Sequence, residues 1–364
     1  MFHTLDSFDT EFSADSVEWC PSNFHKNVFV CGTYQLIQNE EPVVDVEKST
    51  RIGRIYMFKV DHNGRLTLLQ DLDVTAVLDM KWAHVCKNRI LLGVVNSLGY
   101  LQIYQMKNNK ESEYLELLTG KKVAGDKEIL ALSLDWCSGR WTHDNESNLS
   151  IVVSDSKGSI TLFDINEDEL IYINSWYAHK FEAWITAFDY WDTNVIYSGG
   201  DDCKFKKFDI RIERCPVAIN KAHDAGVTSL HSNAMREFLL ASGSYDESLR
   251  LWDTRNLNSP ISKIDLGGGV WRLKWDPFAR KYLLAACMYG GFRIVNCEKP
   301  ESPLVIGEYN EHDSLAYGCD WSFLNSVEIG EQILKKKAEG VYLVSTCSFY
   351  DHLLKLSAVC LKEN

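Results

Sequence analysis

A short motif that recurs along the whole chain restricts its fold more than any other feature. An apolar residue, a polar residue and usually an aromatic one follow in order at Val17-Glu18-Trp19, Met80-Lys81-Trp82, Leu134-Asp135-Trp136 and Phe188-Asp189-Tyr190. The order returns at Leu230-His231-Ser232, Leu273-Lys274-Trp275 and Cys319-Asp320-Trp321. Seven such sites at spacings of roughly 40–65 residues signal a repeat array, in which one supersecondary unit stacks on the next. Each site is followed by further strand-like runs with turn residues between them. The clearest unit reads VTSLHS from Val227, EFLLASGS from Glu237, a tight turn at Tyr245-Asp246, and SLRLWD ending at Asp253. Leu249, Arg250 and Leu251 alternate with the period of two that a pleated strand requires. VIYSGGDDCKFKKFD, ending at Asp209, and LSIVVSDSKGSITLFD, ending at Asp164, repeat the plan. Long helical periodicity is absent; only 329–338 reads as a short helix, between the first two strands of the last unit.

Seven four-stranded units have to close into a ring, because an open end would expose a sheet edge. The expected fold is therefore all-β, a seven-bladed β-propeller, with residues 1–364 as a single domain. Few residues follow the third strand of the last blade, near His352–Ala358. The N-terminus around Phe2–Leu5 is expected to supply that blade's outer strand, so both termini meet in one blade. At this point the chain resembles the WD-repeat family. Blade five carries the full signature: His223, Ser242, Asp246 and Trp252 occupy the positions of that family's hydrogen-bonded tetrad. A buried indole N–H and a buried imidazole both need partners, which Ser and Asp supply. Blade four keeps His179, Ser198 and Asp202 but has Phe208, which cannot donate. Blade seven has His312 and Asp351, with Cys347 and Ser357 in the other two places.

Composition narrows the function. Basic residues number 38 against 51 acidic, a net charge of −13. That argues against a broad nucleic-acid surface and suits a cationic partner. None of the eleven cysteines forms a C-x-x-C pair, which fits reduced structural thiols. The first twelve residues, MFHTLDSFDTEF, contain no apolar signal core, and no apolar run approaches the length of a membrane helix. The sequons at Asn145 and Asn148 then read as accidental. A cytoplasmic monomer without membrane insertion is expected. There is no phosphate-binding loop, no H-E-x-x-H and no G-x-S-x-G, and Gly267-Gly268-Gly269 reads as a tight inter-blade connection rather than a dinucleotide fingerprint. No cofactor or metal is implied, and on motifs alone a binding platform is the default.

In a propeller the loops between blades and the turns between second and third strands share one face. Here they carry His179 to Trp184, Asp201-Asp202, Tyr245 to Glu247, Gly269 to Arg272, Tyr289, Glu311 to Tyr317 and Phe349 to His352. Tyr245, Tyr289 and Tyr350 recur in register in three successive blades. Repeat drift accounts for that as well as function does, and Asp202, Asp246 and Asp351 also read as turn and tetrad residues. The functional reading is a cup for a quaternary ammonium, which cannot donate a hydrogen bond and is held by aromatic faces and carboxylates. Tyr245, Tyr289, Tyr350 and Trp271 would form it, with Asp201 or Glu247 contributing charge. Beside it, His312 and Asp313 are candidates to activate water or Ser314, with Arg272 or backbone N–H groups polarising a carbonyl. The competing reading is that His312 is a structural tetrad histidine.

Longer runs carry a closer resemblance. YSGGDDCKFKKFDIR from Tyr197, SYDESLRLWDTRN from Ser244, GGGVWRLKWDP from Gly267, ACMYGGFRIV from Ala286, EHDSLAYGCDWS from Glu311, TCSFYDHLLKL from Thr346 and Cys31 to Leu36 resemble the WD-repeat diphthine methyl ester hydrolases of diphthamide biosynthesis. These runs span blades one and four to seven. The resemblance implies a carboxylic ester hydrolase that removes the methyl ester of over-methylated diphthine on translation elongation factor two, freeing the carboxylate for later amidation. It also implies a trimethylammonium on the substrate. No residue here matches a recognised esterase motif, so the roles of individual side chains are not carried over. Two other classes stay open: a non-catalytic scaffold for elongation factor two or an amidating enzyme, and an adaptor in membrane traffic.

Overall fold

In the computed structural model the described residues are 1–37, 50–84, 89–109, 112–125, 128–140, 149–212 and 215–361. They form seven four-stranded antiparallel sheets arranged as the blades of a β-propeller. The innermost strands are Ser13–Trp19, Val77–Trp82, Ala131–Trp136, Ile185–Phe188, Val227–Ser232, Arg272–Trp275 and Ala316–Trp321. Six of them end on a copy of the sequence motif, and Ile185–Phe188 ends where its copy, Phe188-Asp189-Tyr190, begins. Blade seven is completed from the other end of the chain, as expected: Phe2–Asp9 pairs antiparallel with Leu353–Cys360 as its outermost strand.

The motif works by alternation. Its polar residue faces the central channel in six blades, where Glu18, Lys81, Asp135, His231, Lys274 and Asp320 line it. Blade four departs from the sequence reading: Thr186 pairs with Ser198 as Leu230 pairs with Ser242, so Phe188-Asp189-Tyr190 lies two residues too late, Asp189 accepts from the Tyr197 hydroxyl, and Tyr190 lines the channel. The motif's aromatic residue turns between blades. The indole N–H groups of Trp82, Trp136, Trp275 and Trp321 donate to the carbonyls of Glu18, Lys81, His231 and Lys274 in the preceding blade. Channel side chains latch the next blade in return. Asp320 accepts from the Trp19 N–H (2.7 Å) and so joins the last blade to the first, and Asp135 accepts from the Phe188 N–H (2.8 Å). One position deeper in the repeat, Asp79, Ser133 and Ser229 accept from the N–H groups of Leu134, Thr186 and Leu273. These bonds satisfy backbone donors that would otherwise be buried and unpaired. The apolar mass lies between blades, where packed faces such as Tyr197, Phe205 and Trp252 exclude water.

Blade five holds the full expected tetrad and blade four the three members its sequence keeps. His223 lies 2.9 Å from Asp246 and 2.7 Å from Ser242, which also accepts the Trp252 indole N–H at 2.8 Å. His179 makes the same contacts with Asp202 and Ser198, both 2.8 Å. Three further expectations need correction. In blade five the second strand starts at Leu239; Phe238 has φ of 64°, which a continuing strand does not allow. The helical segment is Ser326–Ile329 followed by a wider turn over Gly330–Leu334, not 329–338. Asn325 and Glu328 form a capping box that fixes its start, and Lys335 at φ 54° ends it. In blade seven the serine position of the tetrad is held by Thr346. Thr346 pairs with Cys319 and Lys355 as Ser242 pairs with Leu230 and Arg250. Cys347 faces the opposite side and packs in the core against blade one. The sequons at Asn145 and Asn148 lie outside the described residues. Among the described residues no helix is long and apolar enough to cross a membrane.

Candidate functional site

The channel opens, on the face of the inter-blade loops, through a ring of side chains set by bulges. Five inner strands carry a register shift near their start, at Ala14/Ser16, Val77/Asp79, Ala131/Ser133, Val227/Ser229 and Ala316/Gly318. The extra residues are Asp15, Leu78, Leu132, Thr228 and Tyr317. A bulge re-aims the side chain it inserts. In blades four and six the equivalent residues are Trp184 and Trp271. The N–H groups of Thr186 and Leu273 bond the preceding blade as that of Leu134 does, and this fixes the alignment. One acid, three large aromatics and three smaller residues thus stand at corresponding places around the mouth.

The aromatics touch one another. Trp271 is the hub, with ring centroids 5.8 Å from Trp184, 6.0 Å from Tyr245 and 4.8 Å from Tyr317. Trp184 meets Tyr245 edge-on at 90°. The cluster runs on from Tyr317 to Phe349 (4.9 Å), then to Tyr350 (5.0 Å) and Tyr34 (6.1 Å). Asp201 accepts the Trp184 indole N–H at 3.1 Å. Burial pushes the Tyr245 hydroxyl up to about 12, and the carboxylates of Asp201 and Glu182 add to the shift. Tyr245 is seated by glycine: a Cβ on Gly226 would stand 2.8 Å from Asp201 Oδ1 and 3.1 Å from Tyr245 Cδ2.

The residues singled out from sequence separate into two groups. Tyr245, Trp271, Tyr350 and Asp201 converge on this cluster. Tyr289, 88% exposed, stands further out but within electrostatic reach of Tyr317. Glu247 is exposed in its turn at φ 66°, with its carbonyl accepting from the Leu266 N–H. The four candidates for chemistry are not brought together. His312 sits between the rings of Phe292 (5.2 Å) and Tyr309 (5.7 Å). Its Nδ1 is 2.5 Å from Ser348 Oγ and its Nε2 is 2.9 Å from Thr346 Oγ1. Burial pulls its pKa down to about 4, so the ring is neutral at pH 7. Asp313 does not orient it; the Asp313 N–H donates instead to Asp351 (3.1 Å). Ser314 Oγ accepts from the Tyr350 N–H (3.0 Å) and supports the turn that carries the tyrosine. Arg272 is buried in the channel below the mouth, with its guanidinium 3.1 Å from the Asp79 carboxylate of blade two.

Sequence reasoning passed over Asp15. Its carboxyl is buried, and burial pushes its pKa up to about 8 even though the Arg272 guanidinium opposes the shift; Asp79 raises it further. The only signal in the sequence was an acid four residues before the aromatic of the first motif, where other repeats have Leu78, Leu132 and Thr228.

Comparison with known proteins agrees with this architecture. The profile of the WD domain, G-beta repeat, matches residues 214–253, which contain blade five's tetrad. A chain in the crystal structure of the mitotic checkpoint complex superposes with a TM-score of 0.69 over 99% of this chain and 93% of its own, at 18% identity, which speaks for the fold alone. Diphthine methyltransferase of Mus musculus is 44% identical over 88% of this chain and 69% of its own length. The diphthine methyltransferase homolog of Dictyostelium discoideum is 38% identical over 95% of this chain and 96% of its own. Likeness of that extent means that the chain belongs to the diphthine methyltransferase family.

Proposed function

We propose that this chain is a carboxylic ester hydrolase of diphthamide biosynthesis, which hydrolyses the methyl ester of methylated diphthine. The protein substrate in this reading is translation elongation factor two, the methyl leaves as methanol, and the freed carboxylate is ready for amidation. The observation that carries the reading is the aromatic cluster at the channel mouth, backed by carboxylates, in a chain of this family. A modified histidine bearing a trimethylammonium presents a cation with no N–H, and such a group is bound through ring faces rather than hydrogen bonds. Trp271 and Tyr245 take the cation, Tyr350 and Tyr289 cover it from the rim, and Asp201 and Glu247 supply negative field.

With the cation so held, the ester a few bonds away reaches the upper end of the channel. Arg272 is there, its charge held by Asp79, and stabilises the negative oxygen that develops when water adds to the carbonyl. His312, Asp313 and Ser314 serve by holding the turn that bears Tyr350. A neutral imidazole with both nitrogens engaged has no free position from which to take a proton from water. The test mixes the purified chain with methylated elongation factor two in the presence of a chelator and follows methanol and the loss of the methyl mass. Turnover supports the hydrolase. Tight binding without turnover would leave a scaffold and overturn it.

A further inference from the structure

Two buried polar atoms at the channel mouth have no hydrogen-bond partner among the described residues: Oδ2 of Asp15 and Nε1 of Trp271. Leaving such atoms unpaired disfavours the fold, so each calls for an explanation, and a catalytic role is one. One of the two accepts and the other donates. Ester hydrolysis needs that pair: a base for the attacking water and a donor for the carbonyl oxygen.

Both atoms are fixed by the fold. Asp15 is the inserted residue of blade one's bulge, 4% exposed, so its carboxyl is held at the mouth by the strand itself. The titratable groups within electrostatic reach of it are Arg272 from blade six, Asp79 from blade two, and Tyr317 and Cys347 from blade seven. Trp271 occupies the matching place in blade six, where three neighbouring rings lock its indole.

We propose that Asp15 is the general base of the hydrolysis and that the indole N–H of Trp271 is a donor to the ester's developing oxyanion. The proposal rests on the hydrolase reading above. Asp15 takes a proton from water as the water oxygen bonds to the ester carbon and the carbonyl electron pair moves onto oxygen. That oxygen is held by the Trp271 N–H beside the Arg272 charge. When the carbonyl re-forms, the bond to the methoxy group breaks and Asp15 returns the proton to it, releasing methanol. The product acid gives its own proton to solvent. A carboxyl with a pKa near 8 is a stronger base than an ordinary one, and a substrate cation in the cup favours its ionised form. Binding therefore arms the base.

Asp15→Asn, Asp15→Glu and Trp271→Phe variants are compared with wild type in three assays: single-turnover methanol release, binding of tetramethylammonium by calorimetry, and thermal melting. Asp15→Asn is expected to stay folded and to lose about 100-fold or more in rate. Asp15→Glu keeps part of the rate and the pH inflection. Trp271→Phe retains the ring face, and so tetramethylammonium binding, but loses about 100-fold in kcat. The kcat/KM of wild type rises with pH to a plateau above about 8, with the inflection in kcat lying lower. Single turnover in heavy-oxygen water labels the product carboxylate and not Asp15. A rate for Asp15→Asn within about threefold of wild type, below the smallest factor expected of a base, would overturn the base assignment. Label in Asp15 would make it the nucleophile and overturn it too, and an unchanged kcat in Trp271→Phe would remove the donor. If wild type binds tetramethylammonium but hydrolyses nothing, the hydrolase reading itself fails.

Discussion

At the scale of single residues, the site joins groups whose value lies in what they lack. Asp15 keeps its proton in the folded chain up to about pH 8 but releases it near 4 when unfolded. Unfolding therefore becomes easier as pH rises through that window, because the unfolded chain gives up a proton that the folded chain holds. Asparagine has no proton to release. The melting temperature of Asp15→Asn should exceed that of wild type by a margin that widens from pH 4 to pH 8 in a series of scans. His312 should behave in the opposite way. His312→Ala strands Thr346 and Ser348 and should cost about 2 kcal/mol of stability, while the folded fraction still releases methanol; denaturant titration alongside the rate assay checks both. The sequence allowed either role for His312. The structure gives it the tetrad position, through a register that puts Thr346 where Cys347 was expected. The tyrosines and Trp271 were legible because turn residues of successive blades fall on one face. Asp15 was not, because a bulge is a matter of strand pairing and leaves no mark in a single strand's sequence.

Elements were read more securely than individual contacts. The inner strand Val227–Ser232 and third strand Ser248–Asp253 of blade five fall at the boundaries that the alternation implies. Alternation is local, whereas helix limits depend on caps, and Asn325 with Glu328 moved the helical turn toward the N-terminus. The N-terminal strand offers an element-scale prediction. Removing residues 1–10 strips Leu353–Cys360 of seven paired positions and exposes its edge. Melting should fall by several degrees and aggregation should rise; an unchanged melting curve would contradict closure by that strand.

The molecule as a whole carries thirteen excess negative charges, and its acids at the mouth stand beside aromatic faces. Attraction of a cationic substrate by such a field is screened by salt. KM for the protein substrate should therefore rise with ionic strength while kcat holds steady, in assays from about 50 mM to 300 mM salt, a span over which the Debye length falls well below 15 Å. The cross-channel contact of Arg272 with Asp79 joins blades six and two, which are distant in the chain, and no local pattern announced it. Ring closure has one more outcome, for synthesis. The strand Phe2–Asp9 is synthesised before its partner, Leu353–Cys360, and all seven inner strands are made between them. Until that partner is made it is an unclaimed ribbon able to pair with the wrong edge. Asp6 and Asp9 interrupt its apolar residues, and such charges keep a waiting strand soluble until the final blade arrives to receive it.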